Sequence, residues 1–192
     1  MRSLLGDDEH ISFDQFGRNF MREVVTADRV AATIATVVGE RIEMEPMAAG
    51  PRDAATATLR AKLADVDVSP ASIQDDALRF TAVVRLDCTL AVKATVINKR
   101  FRGALTIPLV LDVHTASPLR LVIDVEPPAP ADIGVELESH DRSGRLIQVL
   151  GNIDGEVRTR AAAEVARRVE APEARRHREI DVLAMVDDVW RP

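Results

Sequence analysis

The chain opens on a helical pattern. Ser12 reads as an N-cap, with Gln15 three residues on as its capping-box partner. Phe13, Phe16, Phe20, Val24, Ala27, Ala31, Ile34, Val38 and Ile42 then follow in steps of three or four. That spacing predicts one amphipathic helix of about thirty residues, roughly 45 Å long. Arg18, Arg22, Asp28 and Arg29 occupy the other face. Gly17 and Gly39 weaken the pattern and Pro46 stops it. Such a helix packs on its own sheet, on a partner helix or on a membrane surface.

After Met47–Asp53, which reads as a linker, the period changes to two. Leu59, Ala61 and Leu63 share a phase; Val66 and Val68 take the other, which calls for a bulge near Ala64. The clearest alternation follows. Leu78, Phe80, Ala82, Val84, Leu86, Cys88, Leu90, Val92, Ala94 and Val96 lie on one face, against Arg79, Thr81, Arg85, Asp87, Thr89, Lys93 and Thr95. One side of that strand is buried and the other wet. Asn98–Gly103 reads as a hairpin connection. Leu105, Ile107, Leu109, Leu111 and Val113 make the next inward set, with Pro108 pointing to an edge or a bulge. Leu119, Leu121, Ile123 and Val125 form another strand, and Ile133, Val135 and Leu137 a shorter one. A second helical stripe runs through Leu146, Leu150, Ile153, Val157, Ala161, Val165 and Val169, with a break near Asn152 and Pro172 at its end. Ile180, Val182, Ala184 and Val186 predict a last strand.

The lengths constrain the shape. A strand over Leu78–Val96 spans roughly 60 Å. A compact globule of this size is only about 40 Å across. The predicted fold class is therefore α+β and elongated: a long curved antiparallel sheet wrapped around the long N-terminal helix and the second, C-terminal helix. The predicted organisation is a flexible N-terminus over 1–11 and one domain over 12–190.

This order of elements, from about Ser12 to Val186, resembles one barrel half of the TULIP superfamily, the tubular lipid-binding proteins. That superfamily includes the bactericidal/permeability-increasing family, SMP domains and takeout-like proteins. The segment Gly144-Arg145-Leu146-Ile147-Gln148-Val149-Leu150 opens the second helix as comparable segments do there. The resemblance implies an apolar seam that holds acyl chains, and dimers or two-domain pseudo-dimers. It departs from the secreted members in lacking a leader and their disulfide.

Composition excludes more than it assigns. Net charge is −6, from 25 Lys plus Arg against 31 Asp plus Glu, which argues against nucleic acid. Five Phe, one Trp and no Tyr leave little for stacking platforms. Cys88 is the only cysteine, so no intramolecular disulfide or multi-cysteine metal site forms. Its phase makes it a small core residue. No apolar run approaches a membrane span. The opening MRSLLGDDEH does not read as a signal peptide, which favours a cytoplasmic protein, in one reading peripheral to membrane.

A search for chemistry is mostly negative. His10, His114, His140 and His177 offer no metal-site spacing, and no hydrolase or nucleotide-binding glycine motif is present. Asp112 and His114 share a strand face, as a surface pair or a catalytic one. Asp187-Asp188 reads as a solvated tail or a weak cation site. No cofactor and no metal are expected.

Two charged features remain. Lys99, Arg100, Phe101 and Arg102 read as a membrane-docking tip, three cations around one aromatic, or as a plain hairpin with Phe101 folded onto the core. The run Arg158–Arg178 holds seven Arg against Glu164, Glu170 and Glu173: a solvated face, or a site for an acidic partner or headgroup.

The expected function is non-enzymatic binding or transfer of lipid, or of another long apolar ligand. The expected groove is formed by Phe20, Val24, Ile34, Phe80, Val84, Leu86, Leu90, Ile107, Leu109, Leu121, Leu150, Ile153 and Val157. Transient contact with an anionic membrane, through the tip, goes with it. The alternative is a protein-interaction or scaffold module that forms a homodimer through an apolar seam. An enzyme on a helix-grip or hot-dog sheet is a third reading, disfavoured because such folds begin with a strand.

Overall fold

The computed structural model describes residues 10–49, 54–70, 72–74, 77–95, 97–138 and 153–185. The predicted N-terminal segment up to residue 9, Leu150, His140 and Asp187-Asp188 lie outside the described residues.

The first stripe forms two helices, α1 (Phe13–Val24) and α2 (Ala27–Val38), and not one. The break is built into the sequence. Thr26 is an N-cap whose side chain accepts from the Arg29 amide at 3.4 Å, and Asp28 follows in the first turn. Arg29 in turn donates Nη1 to the Val24 carbonyl at 2.8 Å, satisfying the end of α1. The first cap is as predicted: the Gln15 amide donates to Ser12 Oγ at 3.1 Å. α2 stops at Gly39, which takes the left-handed φ of 71° and donates its amide to the Ala35 carbonyl. Ile42 therefore belongs to a strand, β1 (Arg41–Glu43), and the helix never reaches Pro46.

Met47–Ala49, read as linker, is β2, paired with β3 (Ala55–Val68). β3 carries the predicted bulge: its register against β5 shifts between Leu63 and Asp65. β4 (Ser72–Gln74) precedes β5 (Ala77–Ala94), in which every second residue from Leu78 to Val92 is buried. β6 (Ile97–Ala116) is longer than predicted, because the segment read as a hairpin connection is strand. The turn lies earlier, between the paired Ala94 and Ile97. β7 (Arg120–Glu126) pairs with the distal half of β6. A 3-10 turn (Pro130–Asp132) leads to β8 (Gly134–Glu138), which pairs with the proximal half. Pro108 falls between the two, where neither β7 nor β8 pairs with β6. A residue without an amide proton is tolerated at such a local edge.

α3 (Ile153–Glu170) and α4 (Pro172–Arg178) follow, separated at Ala171 by a proline at the first helical position. β9 (Glu179–Asp181) then pairs with β7. It is shorter than predicted. Asp181 Oδ1 accepts the Ala184 amide at 3.0 Å, which turns the chain into a helical turn after Val182.

The antiparallel sheet runs β1-β3-β5-β6-β7-β9 and curls into a half-barrel. Its inner face carries the core, including Leu59, Phe80, Leu86, Leu90 and Leu105. α2 and α3 cover that face through Val30, Ile34, Ile153, Val157 and Ala161. α1 buries no residue, and Phe13 and Phe16 are 96% and 59% exposed.

Candidate functional site

The inner face is not filled everywhere. A cavity of about 100 Å³ lies between α2, the C-terminal half of α3, α4 and the sheet. The sheet contributes Ile42, Met44, Val84, Leu86, Ile107, Leu109, Leu111, Ile123 and Val125. The helices contribute Val30, Thr33, Ile34, Val37, Val38, Ala161, Val165, Val169 and Ala174. Small residues make the space: Ala161 and Ala174 stand where larger side chains would close it. Apolar cavities of this kind stay dry, since a water needs two or more polar partners.

The lining includes three charged side chains, Glu164, Arg168 and Arg178. Arg168 donates Nε to Glu164 Oε1 at 2.7 Å and Nη1 to the Val38 carbonyl at 2.6 Å, tying α3 to the end of α2. Arg167 also reaches Glu164, at 2.7 Å. Burial pushes the Glu164 carboxyl up, but the hydrogen bonds and charges of Arg167 and Arg168 outweigh it and hold it below the ordinary glutamate range. Thr33 Oγ1 donates to the Arg29 carbonyl at 2.9 Å. The Nε of Arg178 is buried and has no hydrogen-bond partner.

A second apolar space is an open cleft of about 640 Å³. Phe20 and Val24 of α1, Ile180 of β9, Val182 and Met185 line it. Val30, Thr33 and Ile123 line both spaces, so cavity and cleft share a wall. Phe16 stacks on Phe20 with ring centroids 6.4 Å apart, which extends the apolar surface outward along α1.

The predicted groove residues divide accordingly. Ile34, Val84, Leu86, Ile107 and Leu109 meet at the cavity, and Phe20 and Val24 at the cleft. Phe80 faces a different cleft, near the α1–α2 junction, with Leu78 and Ile73. Leu90, Leu121, Ile153 and Val157 are buried in the core but line neither space. Sequence periodicity missed Val30, Thr33, Val37, Arg168 and Arg178. Only the Glu164–Arg168 spacing signalled any of the polar rim.

The predicted docking tip is corrected in its aromatic. Phe101 is 5% exposed and pairs in register with Leu90, because β6 alternates through it and turns its ring to the core. Lys99, Arg100 and Arg102 are exposed. The Asp112–His114 pairing does not form as read. Asp112 is held by Arg79 across the strands, and His114 Nε2 lies 3.6 Å from Asp124 Oδ2 on β7. Among the described residues no three His, Cys, Asp or Glu side chains are grouped to hold a metal. Among the same residues no helix is long and apolar enough to cross a membrane. Comparison with protein-family models and with curated proteins finds no match.

Proposed function

We propose that this protein binds, and passively carries, a lipid or another long apolar ligand between its sheet and its helices, in the manner of a TULIP barrel half. The observation that carries this reading is the cavity against the concave face, apolar except for Thr33 and a charged rim. At about 100 Å³ it is smaller than the roughly 150 Å³ that holds a benzene ring in a dry protein core. It suits a segment of one acyl chain and excludes a bulky ring system. The neighbouring cleft gives the remainder of such a chain a path outward along α1. Each methylene moved from water into this space contributes about 0.8 kcal/mol, so binding needs no catalytic group. The exposed Lys99, Arg100 and Arg102 suit transient contact with an anionic membrane, without insertion of Phe101.

A second reading is a protein-interaction module that pairs with another copy. The exposed Phe13 and Phe16 favour it, since phenyl rings rarely stay in water without a partner surface. Native mass spectrometry, with solvent extraction of the same sample, separates the two. A monomer carrying a lipid of several hundred daltons supports carriage. A ligand-free dimer supports the interaction module and overturns the first reading.

A further inference from the structure

The cavity has a charged end, and that end is not neutral. Glu164 answers Arg168, and Arg168 also engages the Val38 carbonyl. Thr33 spends its hydroxyl proton on its own helix. Arg178 is left: it lines the cavity, it is half-buried, and its Nε is shielded from water without an acceptor. A buried guanidinium donor with no acceptor is costly, and a native protein pairs such a group when it can. Arg158 also has a buried, unpartnered Nε, but it does not line the cavity. The coincidence of open donor and apolar cavity is specific to Arg178.

We infer that Arg178 binds the carboxylate of a single-chain fatty acid whose tail lies in the apolar cavity. This rests on the ligand-binding reading above and names its ligand class. Charge supports an anion: Arg168 and Arg178 face Glu164 alone on the lining. A planar guanidinium matches a planar carboxylate in two parallel hydrogen bonds. Cavity size supports one chain and not two. The position of Arg178 fits as well. It ends α4, and Ile180 of the next strand lines the outer cleft, so the headgroup sits beside the boundary of the two spaces.

The test compares dodecanoate with dodecanol, which share a tail and differ in charge. Binding is measured by titration calorimetry at neutral pH on the full chain. The wild type binds dodecanoate about tenfold more tightly than dodecanol, as one charge-assisted pair predicts. Arg178→Gln loses that preference and keeps dodecanol binding; Arg178→Lys restores part of it. Both variants melt with the wild type, because Arg178 makes no hydrogen bond to protein that the substitution removes. Equal affinity of the wild type for the two probes overturns the carboxylate site while leaving ligand binding intact. So does an undiminished preference in Arg178→Gln. Failure of both probes to bind overturns the cavity reading and this inference together.

Discussion

Arg79 on β5 and Asp112 on β6 stand opposite each other in register, and their side chains close a two-pronged ion pair, Nε to Oδ1 at 2.7 Å and Nη2 to Oδ2 at 2.6 Å. The hydrogen bond from Arg79 holds the Asp112 carboxyl below the ordinary aspartate range. A depressed carboxylate stabilises the fold above its unfolded pKa, near 3.9, and that contribution is lost as pH falls through the folded value. Glu164, lowered by Arg167 and Arg168, acts in the same direction. Stability measured by urea unfolding is expected to be flat from neutral pH to about 5 and to fall below about 4. Asp112→Asn lowers it at pH 7 by about 0.5–1 kcal/mol and makes the acid limb shallower. An acid limb identical to the wild type's contradicts the assignment.

Gly103 is placed by contact and not by a turn. It sits in the ladder between β6 and β8, where a Cβ would collide with the Glu136 carbonyl and crowd Leu137. Both obstacles belong to the paired strand, and backbone cannot step aside as a flexible side chain does. Gly103→Ala is expected to lower stability by about 1–3 kcal/mol, with hydrogen exchange accelerated in β8 first. An unchanged melting temperature rules out the close approach.

Much of the sheet was legible in the sequence because one face is buried and the other wet. The phase of β5 and the bulge near Ala64 follow from apolar alternation, which a slip of one residue would invert. The helices were legible in their stripes but not in their breaks. A cap signal such as Thr26-Ala27-Asp28 can sit inside an unbroken three-four spacing, and periodicity does not register it. Phe101 was misplaced for a related reason. Its cationic neighbours read as a loop, whereas strand alternation continued through them. The cavity itself was partly legible, through Ile34, Val84 and Leu109. Its charged rim was not, because Arg168 and Arg178 come to it by the packing of α3 and α4 on α2, a tertiary relation with no local pattern.

Cys88 offers a check on the inner face that needs no substitution. It is buried in β5, and burial, with the neighbouring Asp87 charge, pushes its thiol up to about 11. The reactive species is the thiolate. At pH 8 the native protein is expected to react with a thiol reagent only through unfolding, at least a hundredfold more slowly than the same chain in denaturant, an order-of-magnitude figure for a core position. Rapid native labelling places Cys88 on the wet side and reverses the phase of β5.

The cavity separates two substitutions that ordinary core packing treats alike. Leu86 is 1% exposed and lines the cavity from the sheet, and Ala161 lines it from α3 at the same exposure. Leu86→Ala enlarges an existing void and is expected to cost about 2–5 kcal/mol, with no loss of apolar ligand binding. Ala161→Leu puts three further carbons into the void. In a filled core such an insertion costs about 1–3 kcal/mol. Here the space is already open, so the variant is expected to melt at or above the wild-type temperature while dodecanol affinity falls at least about tenfold, a loss of roughly 1.4 kcal/mol. The joint readout is decisive, because a closed core predicts the opposite pair: destabilisation by Ala161→Leu and no ligand affinity to lose. Retained affinity in a stable Ala161→Leu protein places the ligand elsewhere, in the outer cleft bounded by Phe20 and Met185.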